Sequence, residues 1–176
     1  MSIKYAYLGP AGTFTEAALQ KIASTSDQLI AYANVTAALD AVRNGECQKA
    51  LVPIENSVEG VVARTLDELA IGQPLVITAE TTLPVSFSLM TLSNTNSAEI
   101  KSIATHPHAE SQCRSFIAKN YPNAQVIESS STAAAAKGLS KGDYDAAIAG
   151  SNAAKNYDLK IIAENIGDNT GAVTRF

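Results

Sequence analysis

The sequence has few of the features that mark membrane, secreted or nucleic-acid-binding proteins. It contains no apolar run long enough for a membrane-spanning helix, and its first residues, MSIKYAYLGPAGT, lack the apolar core of a signal peptide. Lysine and arginine together number 13 against 17 aspartate and glutamate residues, so the formal net charge is −4, and no basic run occurs. These absences argue against a membrane or a nucleic acid as partner and favour a cytoplasmic protein.

Metal-ligand and nucleophile patterns are equally sparse. Cys47 and Cys113 stand without CxxC spacing or a nearby His/Cys set, which argues against structural zinc or a redox pair and fits a reducing compartment. Pro107 separates His106 from His108 and no third ligand is evident, so a turn that opens a helix is favoured over a metal site. No Ser/His/Asp or Cys/His order stands out, which gives nucleophilic hydrolysis little support.

What the sequence does contain is an alternation of short apolar runs with amphipathic stretches. Apolar residues make up 46% and charged residues 17%, which argues against wholesale disorder. Apolar strands that alternate with helices imply an α/β sheet covered on both faces. The predicted strands are 5–8, 29–33, 49–54, 102–105, 124–128 and 145–150. One predicted helix begins near Thr13, and the others span 36–45, 107–121 and 131–142. Asn34 to Thr36 would cap the helix over 36–45, and Gly45 would end it.

The same order of elements occurs twice. Thr36-Ala37-Ala38 aligns with Thr132-Ala133-Ala134, and Asn56 with Asn152, at one offset of 96 residues. We therefore predict two βαβαβ lobes.

Two further stretches, 74–92 and 159–166, would cross between the lobes. Lobe one would then comprise 1–78 plus 166–176, and lobe two 79–165, with a cleft between them. Ligands of such sheets bind outside the carboxyl ends of the strands, so the loops that follow residues 8, 54, 105, 130 and 150 are predicted to surround one site.

The loop VPIENSVEG, residues 52–60, is the most informative of these. Glu55 follows a buried run, and partial desolvation would raise its pKa and make it a candidate acid or electrostatic element. Asn56 and Ser57 are polar at the same strand end, and a helix cap explains them as well as a ligand contact does.

The other loops offer hydroxyls, amides and one cation. For Gly9 and Gly12 a tight turn is favoured over backbone contact with an anion. Thr105 is a candidate cap or anion donor, and Arg175 is the best-placed cation. Gln112 would face either solvent or the cleft, and Ser131 and Thr132 begin a helix suited to a carboxylate.

The ordered set YLGPAGTFTEAAL, VPIENSVEG, THPHAESQC, SSTAAAA and terminal TRF resembles the prephenate dehydratase catalytic domain over nearly all of residues 1–176. The resemblance implies two lobes of the periplasmic-binding-protein type II kind, with the active site in the interlobe cleft and two crossing segments. It also implies the decarboxylating dehydration of prephenate to phenylpyruvate in phenylalanine biosynthesis, without metal or organic cofactor, by a homodimer.

The resemblance further implies roles for the last three residues. Thr174 would donate to the leaving hydroxyl, Arg175 would hold a substrate carboxylate, and Phe176 would pack behind Arg175 or against the substrate ring. The positions that match the family's cleft and anion-binding turn are Glu55, Asn56, Ser57, Thr105, Gln112, Ser131 and Thr132.

Two positions depart from the family pattern. Ala172 stands where the family usually has asparagine, so a hydrogen bond that orients Thr174 would be absent or come from elsewhere, with Asn169 as a candidate. Phe87 stands where many members have histidine.

Feedback by L-phenylalanine would require an ACT domain, which this sequence does not contain. The alternatives are arogenate dehydratase and a non-catalytic protein that binds or senses a small anion.

Overall fold

The computed structural model describes residues 2–95 and 100–176, which form two compact units. The first unit comprises the chain up to Pro84 together with Ala172–Phe176, and the second comprises Val85–Gly171. Both boundaries lie a few residues later than predicted. The reason is hydrogen bonding: 82–84 pairs with the last strand inside the first unit, and the Ile166 amide donates to the Phe87 carbonyl inside the second.

The first unit contains a parallel three-stranded sheet with helices packed against it. Its strands are β1 (Lys4–Leu8), β2 (Gln28–Tyr32) and β3 (Lys49–Leu51), in the order β2-β1-β3, and its helices are α1 (Phe14–Leu19), α2 (Val35–Arg43) and α3 (Ala63–Ile71). Alternate residues of β1 face opposite sides of the sheet, so Tyr5 packs in one apolar cluster and Ala6 in another. The cap and stop predicted for α2 are confirmed, since Asn34 Oδ1 accepts from the Ala37 amide at 2.8 Å and Gly45 follows with φ +74°.

A second, antiparallel sheet of the first unit collects short strands that are far apart in sequence. They are β4 (Glu55–Asn56), β5 (Gly60–Val61), β6 (Thr82–Pro84) and β12 (Val173–Arg175), in the order β5-β4-β12-β6. The end of the chain is thus a central strand of this sheet, hydrogen-bonded on both edges.

The second unit has one five-stranded mixed sheet. Its strands are β7 (Ser88–Thr91), β8 (Ser102–Thr105), β9 (Gln125–Glu128), β10 (Ala146–Ala149) and β11 (Lys160–Ala163), in the order β11-β7-β10-β8-β9, and its helices are α4 (Pro107–Gln112), α5 (Arg114–Asn120), α6 (Thr132–Leu139) and α7 (Ser151–Asn156). The continuous helix expected from Pro107 is wrong. It breaks at Cys113, whose φ of −120° and ψ of 13° lie outside the helical region and whose side chain is fully buried.

The predicted duplication of topology is confirmed. In each unit three parallel strands lie in the order second, first, third: β2-β1-β3 and β9-β8-β10. All four residues of β10 are buried, as expected for a strand covered on both faces. The α/β class is therefore established. None of the helices in 2–95 and 100–176 has the length and apolar character that a membrane crossing requires.

Candidate functional site

The most concentrated group of predicted site residues lies on the pair β4–β12. The antiparallel register places Thr174 opposite Asn56 and Arg175 opposite Glu55. Opposed residues of such a pair share a face of the sheet, and successive residues of one strand face opposite sides. Thr174 and Asn56 therefore share one face, and Arg175 and Glu55 share the other.

Two consecutive residues of the ENS motif (55–57) form hydrogen bonds with the VTR strand (173–175). Asn56 Nδ2 donates to Thr174 Oγ1 at 2.8 Å, across 118 positions of sequence. The Ser57 amide donates to the Val173 carbonyl at 2.9 Å, and Ser57 Oγ accepts from the Val173 amide at 2.9 Å. The motif that was expected to contact ligand therefore also serves as the strand partner of the terminal motif.

A tight turn fixes the Asn56 side chain itself. Its Oδ1 accepts from the backbone amides of Val58 at 2.8 Å and Glu59 at 3.0 Å, an arrangement typical of an Asx turn. Gly60 completes the turn with φ +83°, a conformation that favours glycine. The sequence folds this way because a short polar side chain and a glycine flank the reversal between β4 and β5.

Thr174 is buried, with 8% of its surface exposed, yet its hydroxyl proton is available. Its Oγ1 accepts from Asn56, and no acceptor for its own proton lies within hydrogen-bonding distance among residues 2–95 and 100–176. Two other buried threonines differ: Thr65 donates to the Pro53 carbonyl at 2.6 Å, and Thr105 donates to the Ile148 carbonyl at 2.8 Å. Thr174 can therefore donate to a ligand without breaking a bond within the described protein.

The bond that orients Thr174 is present despite the alanine at position 172. It comes from Asn56, and Ala172 is buried, with 2% exposed. The suggestion that Asn169 supplies this bond is wrong, because Asn169 Oδ1 accepts from the Gly171 amide at 2.9 Å and closes its own turn.

Arg175 lies on the exposed side of β12 and already holds a carboxylate. Its Nε and Nη2 donate to Glu80 Oε2 at 2.9 and 2.6 Å, and its Nη1 lies 4.0 Å from Glu55 Oε2. The burial expected for Glu55 is wrong: its side chain is 52% exposed, because it lies on the Arg175 face rather than in the core. Sequence reasoning did not identify Glu80, and no local pattern marks it within the β-prone stretch 74–92.

Phe176 packs into the core of the first unit, with 7% of its surface exposed, against a cluster that includes Tyr5, Leu19 and Leu83. It also borders an apolar cavity of about 390 Å³ within the same unit, which has Arg175 and Glu80 among its lining residues. The terminal aromatic ring therefore anchors β12 to the parallel sheet.

The loop after β1 is shaped by close packing. A Cβ at Gly9 would lie 2.8 Å from the Ala31 Cβ, so close packing against β2 accounts for a glycine at this position. Glu16, a buried residue whose role sequence reasoning did not identify, accepts from the Gly12 amide at 2.6 Å and from the Tyr7 hydroxyl at 3.1 Å. The only signal for it was the spacing of a capping box with Thr13.

Three of the four predicted ligand residues of the second unit make hydrogen bonds within that unit. Thr105 is 1% exposed and does not cap α4, so the expected cap at Thr105 is wrong. The cap is His106, whose Nδ1 accepts from the His108 amide at 3.3 Å. Ser131 caps α6, and its Oγ accepts from the Ala134 amide at 3.0 Å. The carbonyl of Gln112, the last residue of α4, accepts from the Asp168 amide, and Thr132 is the first residue of α6.

No group of three or more histidine, cysteine, aspartate or glutamate side chains in the described ranges is arranged to hold a metal ion. The β4–β12 pair offers hydrogen-bond donation from a fixed hydroxyl, with a guanidinium on the opposite face of the strand.

Comparison with known proteins identifies relatives along the whole chain. The family model described as prephenate dehydratase matches residues 5–176. A prephenate dehydratase of Amycolatopsis methanolica is 46% identical over 173 residues, which cover 98% of this chain and 56% of that protein.

Two solved structures resemble this chain over nearly its whole length. The prephenate dehydratase of Arthrobacter aurescens, crystallised in complex with L-Phe, is 46% identical with a TM-score of 0.91, and the match covers 98% of this chain and 58% of that one. A protein described as a novel type of quorum quenching acylase is 25% identical with a TM-score of 0.83, over 98% of this chain and 62% of that one.

The chain spans a little more than half the length of the relatives that are 46% identical to it. Within that span the ENS and TRF motifs come together on adjacent strands, and the family model covers residues 5–176. The chain belongs to the prephenate dehydratase family.

Proposed function

We propose that this chain catalyses the decarboxylating dehydration of prephenate to phenylpyruvate, as a carbon–oxygen lyase of phenylalanine biosynthesis. One observation supports this most strongly: Asn56 holds the Thr174 oxygen as an acceptor at 2.8 Å, so the Thr174 proton is free to reach a leaving group. Family membership over residues 5–176 supplies the substrate class.

The reaction needs such a donor. The bond from the ring to the leaving carboxylate breaks and its electron pair completes the aromatic ring, while the bond to the ring hydroxyl breaks. The hydrogen bond from Thr174 stabilises the departing hydroxyl, which takes one proton from solvent and leaves as water, and carbon dioxide is released. Threonine is a weak acid, so Thr174 acts by positioned hydrogen-bond donation, and general-acid assistance of this kind contributes roughly 10²–10⁴-fold.

Prephenate is a dicarboxylate, and Arg175 is the proposed partner of one carboxylate. Its guanidinium presents parallel donors that suit a carboxylate, and Glu80 already occupies two of them at 2.9 and 2.6 Å. Substrate would therefore replace Glu80 on Arg175. Because Thr174 and Arg175 face opposite sides of β12, the two roles can be tested separately.

The remaining candidate residues keep proposed roles. Glu55 is a candidate electrostatic element beside Arg175, and Asn56 and Ser57 hold the reacting strand. Further candidates for ligand contact are Gly9 and Phe176 of the first unit and Thr105, Gln112, Ser131 and Thr132 of the second.

Fold alone does not choose the reaction, since the described acylase shares it at a TM-score of 0.83. The free Thr174 proton favours dehydration over a protein that only binds a small anion, because binding needs a cation but not that donor. Arogenate dehydratase stays an alternative, since it would use the same donor. A cytoplasmic homodimer is part of the proposal.

The test is to incubate the purified protein with prephenate and follow phenylpyruvate, with calorimetry to measure binding. Conversion above the uncatalysed rate supports the proposal. Binding without conversion would identify an anion-binding protein, and faster conversion of arogenate to phenylalanine would identify the alternative substrate.

A further inference from the structure

We infer that Asn56 is a positioning residue whose side-chain amide sets the direction of the Thr174 hydroxyl bond. The inference rests on the proposed function, because it concerns the hydroxyl that is proposed to donate to the leaving group. It changes the role expected for Asn56 from contact with substrate to control of the donor.

The first step is that the Asn56 amide has one orientation. Two backbone amides, of Val58 and Glu59, point at its Oδ1 at 2.8 and 3.0 Å. If the amide were flipped, its NH₂ group would face two donors and have no acceptor there. The turn between β4 and β5 therefore fixes which end of the amide faces Thr174.

The second step is that Nδ2 can only donate. It lies 2.8 Å from Thr174 Oγ1, so the threonine oxygen accepts and its own proton must point elsewhere. A hydroxyl that accepts one hydrogen bond donates a stronger one, since the two bonds polarise each other. The backbone turn at Val58 and Glu59 is thus linked through Asn56 to the donor strength of Thr174.

The third step is that an aspartate at position 56 would reverse the hydrogen bond with Thr174. A carboxylate at position 56 would accept from the same two backbone amides through one oxygen. Its other oxygen would then accept the Thr174 proton, and the hydroxyl would turn away from the substrate. Shape and size barely change, but the direction of one hydrogen bond is reversed.

The experiment is Asn56→Asp, assayed for phenylpyruvate formation from pH 4 to 8 beside the parent and the double variant Asn56→Asp/Thr174→Val. We expect kcat of the single variant to fall on the order of 10–100-fold at neutral pH, with KM within about threefold. The ratio of the variant kcat to the parent kcat should stay low across this range, because the two backbone amides and the Thr174 hydroxyl stabilise the charged form of the introduced carboxylate and keep it ionised. The double variant is the reference that lacks the hydroxyl.

A second readout does not depend on activity. The introduced carboxylate, titrated by carbon-13 NMR, should have a lower pKa in the single variant than in the double variant, because only the former has a hydroxyl to stabilise the charge. Equal pKa values in the two variants, or a kcat within about twofold of the parent at neutral pH, would overturn the inference. A parent that converts no prephenate would refute the proposed function instead, and the titration would still decide the orientation.

Discussion

Replacement of Glu80 by glutamine tests whether Arg175 exchanges partners when substrate binds. In the free protein Arg175 donates twice to Glu80 Oε2, at 2.9 and 2.6 Å, and the two side chains are 51% and 64% exposed. Exposed ion pairs contribute about 0.2–1 kcal/mol, and substrate must give up that contribution when it displaces Glu80. Since about 1.4 kcal/mol corresponds to tenfold in affinity, Glu80→Gln should lower KM for prephenate by up to about fivefold, with kcat little changed.

The assay is steady-state phenylpyruvate formation at low and high ionic strength, with Asp67→Asn as a control for the change in net charge. Asp67 is exposed on α3 and is not part of the Arg175 ion pair. The difference between Glu80→Gln and the parent should shrink with salt, because surface ion pairs are screened. A KM for Glu80→Gln that is unchanged or raised would show that Arg175 does not take the substrate carboxylate and serves the ion pair with Glu80 alone.

Three further predictions concern the second unit. Asp145 accepts from the Lys101 amide and from the hydroxyl and amide of Ser102, which hold its pKa below the usual range. Asp145→Asn should therefore lower the melting temperature at pH 7, and the difference should vanish as pH falls through that lowered pKa. A constant difference from pH 7 to 2 would contradict this. Burial raises the pKa of the Cys113 thiol to about 12, so a thiol reagent at pH 8 should modify it only after denaturant unfolds the protein; rapid labelling of the native protein would be contrary evidence. The buried Thr91 hydroxyl has no hydrogen-bond partner within residues 2–95 and 100–176, so Thr91→Val should keep or raise the free energy of unfolding in urea. A loss above about 1 kcal/mol would refute the assignment.

Local features of the fold could be predicted because neighbouring residues determine them. The cap at Asn34 and the stop at Gly45 follow from side chains within one helical turn, and the strands 5–8 and 102–105 follow from apolar runs. The broken helix at Cys113 could not be predicted, since the break depends on packing of that side chain in the core of the second unit.

The site was predicted only in part. The motifs with Asn56 and Thr174 were recognised, but their contact joins positions 118 residues apart and depends on strand register. The exposure of Glu55 follows from which face of a two-residue strand it occupies, and the Arg175–Glu80 pair joins two exposed side chains that no periodicity links. The hydrogen bond of Thr105 could not be predicted either, because its acceptor is the Ile148 carbonyl on the neighbouring strand, 43 residues away in sequence.

The most direct test of Thr174 as the donor is kcat for phenylpyruvate formation by Thr174→Val and Thr174→Ser at saturating prephenate. Valine keeps the shape but removes the hydroxyl, so it should lower kcat by roughly 10²–10⁴-fold while prephenate still binds, and serine should retain part of the activity. Valine activity equal to that of the parent, or equal losses in the valine and serine variants, would contradict the role of the Thr174 hydroxyl as donor.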